Sequence, residues 1–338
     1  MEERRIMKKN MTNVIAMALT TAMAFAGVTA CGSSSTTTTA AATEAATTAA
    51  ATTAAAADTA ADTTAATTTA AAEPAGDVSG ELHAAGSSAL QPLAQAAADL
   101  FMDKYPDANV FVDGGGSGTG LKQVAADAID IGNSDVYAEE KLDADQAKDL
   151  VDHQVCTITM APVVNKDLGV TNLTTEQLTD IFTAKTTNWK DVGGPDEEIL
   201  LVTRPATSGT RATFKTWALN GAEEASNESL ETDDSGTLLQ TVQDNKGAIG
   251  YVALSYLVNN DAVQAVSIDG VEPSLENTYN GTYKVWAYEH MYTKGDGSDI
   301  AQVFINYMMG DEFAPEIEKM GYGVSSKLSA DAADSHKK

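Results

Sequence analysis

Apolar positions along the chain fall into short runs and stretches of helical spacing from about residue 81 onward. The repeat that starts at Leu90 has near-helical spacing and predicts a helix. Ser88 and Gln91 fit a capping box for it, and Pro92 is tolerated in its first turn. Compact apolar runs predict strands at 81–85, 109–112, 129–132, 161–164, 200–202 and 248–252. Further helices are predicted at 122–126, 176–182, 212–219 and 300–309.

The order of these elements indicates the fold class. Strand, Gly/Ser turn, helix and strand follow one another repeatedly, which is typical of an α/β fold with largely parallel sheets. The stretch of about 255 residues is large for a single core and predicts two lobes. The chain is expected to cross to the second lobe near 161–164 and to return near 283–288. We therefore predict lobe I at 80–160 and 284–330, and lobe II at 161–283.

The N-terminal segment has the pattern of an exported protein. Basic residues precede an apolar run from about Val14 to Ala30, and small residues lead to Cys31. This pattern predicts a signal peptide at 1–30, because the run is shorter than the roughly 20 apolar residues of a spanning helix. Cys31 at the cleavage point resembles the lipobox of bacterial lipoproteins and predicts lipidation. An uncleaved anchor helix is the alternative, and Met7 is an equally good start.

Residues 32 to about 79 are almost entirely Ser, Thr and Ala, with scattered acids and no aromatic residue. Such a segment buries too little apolar surface to offset its ordering entropy. With lipidated Cys31 it is predicted to form a disordered tether, residues 31–79, that holds the folded domain away from a membrane.

Charge and cysteine content exclude several classes of function. The net charge of −27 argues against nucleic acid or an anionic membrane surface as a partner. Cys156 is the second of two cysteines and lies in an apolar run, which favours a core residue over a reactive thiol. The four histidines are scattered without zinc-ligand spacing. We predict no metal and no cofactor.

Three loops share one design, in which small hydroxyl residues and Gly stand between a strand and a helix. They are 86–89, 116–120 and 207–210. Unpaired amides and partial positive charge at helix starts, with serine hydroxyls beside them, favour an anion site. Arg204 is the charge partner that the pattern suggests, because its planar fork fits phosphoryl oxygens. A salt bridge between lobes is the alternative role for Arg204.

Asp135 stands at the end of a predicted strand and gives the site its selectivity. An ionised carboxylate only accepts hydrogen bonds, so it favours an anion that still carries a proton. Hydrogen phosphate does so at neutral pH and sulfate does not. The alternative is that Asp135 caps a helix or turn. Dinucleotide, P-loop and serine-hydrolase motifs are not matched by the glycine run or by Ser208.

The strings 85–88, 114–118, 130–135, 178–182, 187–190 and 204–211 resemble, in order and spacing, the phosphate-binding proteins of bacterial ABC phosphate importers. The similarity covers nearly all of the folded part. It implies a two-lobe periplasmic-binding-protein-like fold of type II, with the ligand cleft between lobes joined by two crossover strands. It also implies a set of phosphate ligands: Ser88, the Ala89 amide, Ser117, Asp135, Arg204, Ser208, Gly209 and Thr210.

The chain departs from this family at two positions. Ala89 stands where some relatives carry a bulky aromatic residue, which leaves only its backbone N–H to contribute. Ala206 stands where some relatives carry an Asp near the arginine, so Arg204 is expected to be oriented differently. Arg211 is expected to pair with an acid, and Trp189 to pack in lobe II.

We predict a lipid-anchored, extracytoplasmic monomer that is not an enzyme and that delivers inorganic phosphate to ABC permease subunits. The alternatives are a receptor for sulfate or molybdate, a phosphatase and a surface adhesin.

Overall fold

The computed structural model describes residues 78–226 and 229–337, which belong to one compact unit, 66–338. The predicted signal peptide, Cys31 and all but the end of the tether lie outside the described residues. In the part of the chain that is described, no helix has the length and apolar character needed to span a membrane.

Strands and helices alternate along the described chain. The strands are β1 Gly80–Gly86, β2 Ala108–Gly115, β3 Ile131–Ser134, β4 Leu150–Asn165, β5 Asn172–Leu173, β6 Leu200–Thr203, β7 Leu230–Glu231, β8 Ala248–Ala253, β9 Val263–Ala265, β10 Ser267–Ile268 and β11 Trp286–Lys294. The α-helices are α1 Gln91–Lys104, α2 Ser117–Ala125, α3 Ala144–Ala147, α4 Thr175–Phe182, α5 Gly209–Ala218, α6 Ser235–Asp244, α7 Leu275–Tyr279, α8 Asp299–Met309, α9 Ala314–Lys319 and α10 Ala330–Ser335.

The main sheet has the strand order β2-β1-β3-β11-β4-β8-β6-β7, with β9 also paired to β4. Strand β1 is parallel to β2 and β3, and β6 is parallel to β7 and β8. The long strand β4 is antiparallel to both neighbours: it pairs with β11 over residues 150–159 and with β8 over residues 160–164. One strand therefore runs through both halves of the sheet. This is the α/β architecture expected from the sequence, with β4 as a crossover strand.

Each half of the sheet has its own aromatic packing. In the first half, Phe101 of α1 meets Phe304 of α8 edge to face, with ring centroids 5.3 Å apart. In the second half, Phe214 of α5 stacks on Tyr251 of β8 at 4.1 Å. These contacts describe two lobes that share β4. The lobe limits at 160/161 and 283/284 stay a prediction, although β4 changes its partner at Met160.

The C-terminal segment contacts both halves of the sheet through one histidine. The ring of His336 lies between Trp217 of α5, at 3.8 Å, and Trp286 of β11, at 3.7 Å. Its Nε2 donates to the carbonyl oxygen of Lys284 at 3.2 Å. Burial lowers the pKa of His336 to about 4.

Several expectations about individual residues are confirmed. Thr174 and Gln177 form the capping box of α4, and Pro92 lies in the first turn of α1. Trp189 is fully buried and its Nε1 donates to the carbonyl oxygen of Gly247. Cys156 is fully buried. Helix α8 begins one residue before the predicted start.

Other expectations were wrong. Helix α1 begins at Gln91 without a side-chain cap, because the Ser88 hydroxyl is turned toward Arg204 and Ser87 accepts the nearby amides instead. Helices α2 and α5 begin at Ser117 and Gly209, about one turn earlier than predicted. Ser117, Gly118 and Gly209 therefore belong to the helices themselves, and Ser208 is the N-cap of α5.

Candidate anion-binding site

The same Ser-Gly-Thr sequence stands at the start of three helices of the described chain. Helix α2 begins at Ser117, α5 begins at Gly209 after Ser208, and α6 begins at Ser235. The Ser208 hydroxyl accepts from the Arg211 amide at 3.2 Å and so caps α5. Helix starts carry amides without helical partners and a partial positive charge. The three sequences therefore supply the donors that an anion needs.

Arg204 follows β6 and is completely buried. Its Nη1 donates to the Ser88 hydroxyl at 3.1 Å and to the carbonyl oxygen of Asp233 at 3.3 Å. Its Nη2 donates to the Ser235 hydroxyl at 2.5 Å. These neutral oxygens orient the guanidinium, and a different orientation from that in relatives with an acid at this position stays a prediction.

Arg204 acts electrostatically on Asp233 and Glu224, but it forms no ion pair with either of them. No ion pair among the described residues includes it, and its buried Nε has no hydrogen-bond partner. A buried charge is costly unless it is paired. The described residues therefore contain no salt bridge between lobes that involves Arg204, which was its alternative role. The arrangement leaves a positive charge and a donor for an anion.

Asp135 lies directly after β3 and is 2% exposed. Its amide donates to the Ser117 hydroxyl at 3.1 Å, and its Oδ2 accepts from the Thr210 hydroxyl at 2.7 Å. Its Oδ1 is buried and has no partner. Asp135 thus keeps acceptor capacity inside a site that is otherwise rich in donors.

The two lobes approach each other closely around Gly209. A Cβ at Gly209 would lie 2.2 Å from the Ser117 Oγ, 2.9 Å from its Cβ and 3.1 Å from the Asp135 Cβ. Nearby, the Gly118 amide donates to the carbonyl oxygen of Thr207 at 2.9 Å. Glycine at these positions lets the backbone of α5 meet that of α2, so the cleft is closed in this structure.

Lys141 adds a contact across the same cleft. Its Nζ donates to the carbonyl oxygens of Ala206 at 2.8 Å and Ser208 at 3.0 Å. Burial lowers the pKa of Lys141, while the neighbouring acids Glu140 and Asp135 oppose that shift. The lysine holds the loop that leads into α5 against lobe I.

Asp233 brings a carboxylate to the edge of the cleft. The Thr207 hydroxyl donates to its Oδ2 at 3.4 Å, and a Cβ at Gly116 would lie 2.7 Å from the same oxygen. Burial raises the pKa of Asp233, and the positive charge of Arg204 opposes that shift. Asp233 therefore contacts both lobes beside the arginine.

The residues implied by the family resemblance are close together in the structure. Hydrogen bonds join Ser88 to Arg204, Ser117 to Asp135 and Asp135 to Thr210, whereas Ser208 and Gly209 form the start of α5. The Ala89 amide already donates to the Ser87 hydroxyl at 3.1 Å. Whether these eight residues contact a ligand stays a prediction.

Sequence reasoning missed three residues that shape the site: Ser235, Asp233 and Lys141. The Ser-Gly-Thr sequence at 235–237 repeats that at 117–119 and 208–210, and this repetition was the available signal for Ser235. Arg211 behaves as expected: it lies near Glu223, Glu224 and Glu231. Within the described residues no group of His, Cys, Asp and Glu has an arrangement that could hold a metal ion.

Comparison with known proteins identifies the class of protein. A profile of the PBP superfamily domain matches residues 67–312. The phosphate-binding protein PstS of Bacillus subtilis (strain 168) is 51% identical over 239 residues, which cover 71% of this chain and 78% of that protein.

Solved structures agree with the sequence comparison. A Clostridium perfringens protein assigned to phosphate ABC transport, solved with bound phosphate, matches with a TM-score of 0.66 and 30% identity, over 72% of this chain and 99% of that chain. An ABC-type phosphate transport receptor from Vibrio cholerae matches with a TM-score of 0.57 and 26% identity, over 72% and 99%. The two-lobe α/β fold and its cleft are those of a substrate-binding protein. The chain belongs to the PBP superfamily, and within it to the family of the phosphate-binding protein PstS.

Proposed function

We propose that this protein captures inorganic phosphate outside the cell membrane and delivers it to the permease subunits of an ABC importer. One observation carries the proposal: no acid of the described residues forms an ion pair with the fully buried Arg204, which shares a closed cleft with an acceptor, Asp135. A doubly charged oxyanion pairs with the guanidinium, and a protonated oxyanion also satisfies the carboxylate.

Hydrogen phosphate matches both halves of this requirement. Its unprotonated oxygens accept from Arg204, from the serine and threonine hydroxyls and from the amides at the start of α5. Its remaining proton is donated to Oδ2 of Asp135, which has a second lone pair beside the one that accepts from Thr210. Sulfate offers four acceptors and no proton, so it would place a negative oxygen against the carboxylate without a hydrogen between them. The pair Arg204 and Asp135 thus selects phosphate over sulfate.

The ligand set that we propose contains the eight residues of the family resemblance together with one addition. Ser235 joins them because its hydroxyl contacts both the Arg204 Nη2 and, at 3.1 Å, the Ser88 hydroxyl. In this role Ser235 orients the arginine from α6, while Ser88 does so from lobe I. Closure of the cleft brings the two hydroxyls together.

The relatives are substrate-binding proteins of transport, and we extend this role to the present chain: it binds and releases phosphate without hydrolysing an ester. The Ser208 hydroxyl serves as the cap of α5, and no histidine within the described residues hydrogen-bonds to it. We further propose that Cys31 carries the lipid and that residues 32–79 form the tether. The folded domain then acts as a monomer at the outer face of the membrane.

Tryptophan fluorescence tests the proposal, because Trp217 and Trp286 lie on opposite sides of His336 where the lobes meet. Phosphate should produce a saturable change, and sulfate should produce none. Asp135→Asn should weaken phosphate binding by about 10- to 100-fold, the effect of losing one hydrogen bond to a charged group. It should also admit sulfate, because the new amide can donate. Asp113→Asn is the matched control at an exposed position and should change neither.

An unchanged phosphate affinity in Asp135→Asn, with sulfate still excluded, would contradict the role of Asp135. If wild-type protein shows no response to phosphate and no binding by equilibrium dialysis, the proposed ligand is wrong. A response to molybdate or sulfate instead would keep the binding-protein class and replace the ligand.

A further inference from the structure

A second carboxyl group lies beside Asp135 inside the protein. Glu289 belongs to β11 and is completely buried. Strand β11 pairs antiparallel with β3, and the pair His290 and Ser134 is in register. Asp135 directly follows β3, so continuing this register past the paired residues brings Glu289 toward it, and the two carboxyl groups are close enough to share a hydrogen bond. On its other side Glu289 is in register with Cys156 of β4.

The oxygens of these two carboxyl groups lack donors. Oδ1 of Asp135 and both carboxyl oxygens of Glu289 are buried, and none has a hydrogen-bond partner when both groups are ionised. Ionised carboxylates only accept, so two of them cannot satisfy each other. One proton on the pair removes the conflict, because a protonated carboxyl donates to its ionised neighbour.

In the described part of the chain, the titratable groups that act on Glu289 supply no positive charge. The titratable groups that face it are Asp135 after β3, Cys156 of β4 and Tyr322 after α9, and none of them is a cation. Burial, the charge of Asp135 and the hydrogen bond with Asp135 raise the pKa of Glu289 well above its usual range. Neither oxygen of Glu289 has a donor, whereas Oδ2 of Asp135 accepts from Thr210, so the contacts place the proton of the pair on Glu289.

We propose that Glu289 is protonated at neutral pH and donates to Oδ1 of Asp135, and that it thereby holds Asp135 as the ionised acceptor of the ligand proton. Glu289 is a positioning residue, since it reaches the ligand only through Asp135. The first part of the proposal concerns the protein alone. The second part rests on the proposed phosphate function.

Selectivity for the anion follows from the number of protons on the pair. With one proton, Asp135 stays an acceptor, so hydrogen phosphate binds and sulfate is excluded. Loss of that proton at alkaline pH places two like charges behind the ligand, which weakens binding of a dianion. The ionic form of phosphate is constant across the moderately alkaline range, so this weakening reports the protein. Other groups, such as Lys141, also titrate, but they do so in the wild type and in the variants alike. Their effect therefore cancels when the pH profiles of phosphate affinity are compared.

Infrared difference spectroscopy of the ligand-free protein tests the protonation directly. At about pH 8.5 the wild type should show the C=O stretching band of a protonated carboxylic acid, because the proposal keeps a proton on the buried Glu289 where it donates to Asp135. Glu289→Gln should remove the band. Glu224→Gln is the matched control: burial raises the pKa of Glu224 to about 7, so it is mostly ionised at that pH and its variant should keep the band.

Binding of phosphate and sulfate to three proteins tests the positioning role. Glu289→Gln keeps a donor to Asp135 and should retain the wild-type preference, but it should lose the fall in phosphate affinity at alkaline pH. Glu289→Met removes the donor and should reduce the preference for phosphate over sulfate by at least about tenfold. Circular dichroism and thermal melts establish that each variant is folded.

The infrared test and the binding test can fail independently of each other. Absence of the carboxylic acid band in the wild type, or its persistence in Glu289→Gln, would overturn the proposal whether or not phosphate binds. Equal selectivity in folded Glu289→Met and wild type would overturn the positioning role, and if Glu289→Met does not fold, the alkaline profile of Glu289→Gln decides. Failure of the wild type to bind phosphate would contradict the proposed function. The infrared result would then still decide whether Glu289 is protonated.

Discussion

Gly209→Ala should separate closure of the cleft from folding of the lobes. The added methyl group would meet Ser117 and Asp135, with its shortest approach of 2.2 Å to the Ser117 Oγ. All three of the nearest atoms belong to the lobe opposite α5. When the lobes separate, these contacts disappear, so the open form can accept the methyl group without strain.

The cost falls on the closed form alone. Forcing one methyl group into a well-packed contact costs about 1–3 kcal/mol, which corresponds to an affinity loss of about 5- to 150-fold. The backbone amide of residue 209 is kept, so any donor to the ligand survives. Alanine also has a higher helix propensity than glycine by up to about 1 kcal/mol, which favours α5 slightly.

Calorimetric titration and thermal unfolding measure the two effects. Phosphate affinity should fall by the stated factor, while the unfolding temperature of the ligand-free protein should stay constant or rise. Gly236→Ala is the matched control in the first turn of α6, where the nearest atom to a new Cβ is the Asp234 Oδ1 at 3.4 Å. It should leave phosphate affinity unchanged, and by the same helix propensity it should leave the unfolding temperature constant or raise it. Wild-type affinity in Gly209→Ala would refute the reasoning that this contact forms on closure.

Two further predictions follow from contacts between the lobes. Lys141→Met should weaken phosphate binding by about tenfold, mainly through faster release, because two carbonyl oxygens lose their donor. The control Lys148→Met, at an exposed position, should leave the release rate unchanged. Equal release rates of the two variants in stopped-flow experiments would contradict the role of Lys141. His336 has a folded pKa of about 4, below its unfolded value, so it stabilises the fold above about pH 6.5 and loses that contribution as pH falls toward 4. Urea unfolding at pH 7 and pH 4.5 measures this contribution. Between these two pH values the free energy of unfolding should fall by about 2 kcal/mol more in the wild type than in His336→Phe, after allowance for solvent screening. An identical fall in both proteins would disprove the role of His336.

Local sequence signals predicted much of the fold where a feature depends on neighbours in the chain. The capping box of α4 needs only Thr174 and Gln177, and both bonds are present. The alternation of strands and helices likewise follows from local apolar patterns. The lobe arrangement was anticipated by the family resemblance, which covers nearly all of the folded part.

Failures occurred where distant residues compete for a side chain. Ser88 fits a cap in sequence, but its hydroxyl is used by Arg204, which lies 116 positions away. The site role of Ser235 was missed because the preceding strand β7 is only two residues long. Both residues are exposed, so the sequence carries no strand signal there. Glu289 lies within an apolar strand pattern, and its proposed role depends on its contact with Asp135, which is distant in the sequence.

Calorimetric titration of the wild-type protein with phosphate and then sulfate, near neutral pH, tests the central claim most directly. The protein is first unfolded and refolded so that any bound ligand is removed. We predict one-to-one binding of phosphate at micromolar or lower concentration and no heat from sulfate. Binding of sulfate at comparable affinity, or binding of neither anion, would contradict selection by Arg204 and Asp135.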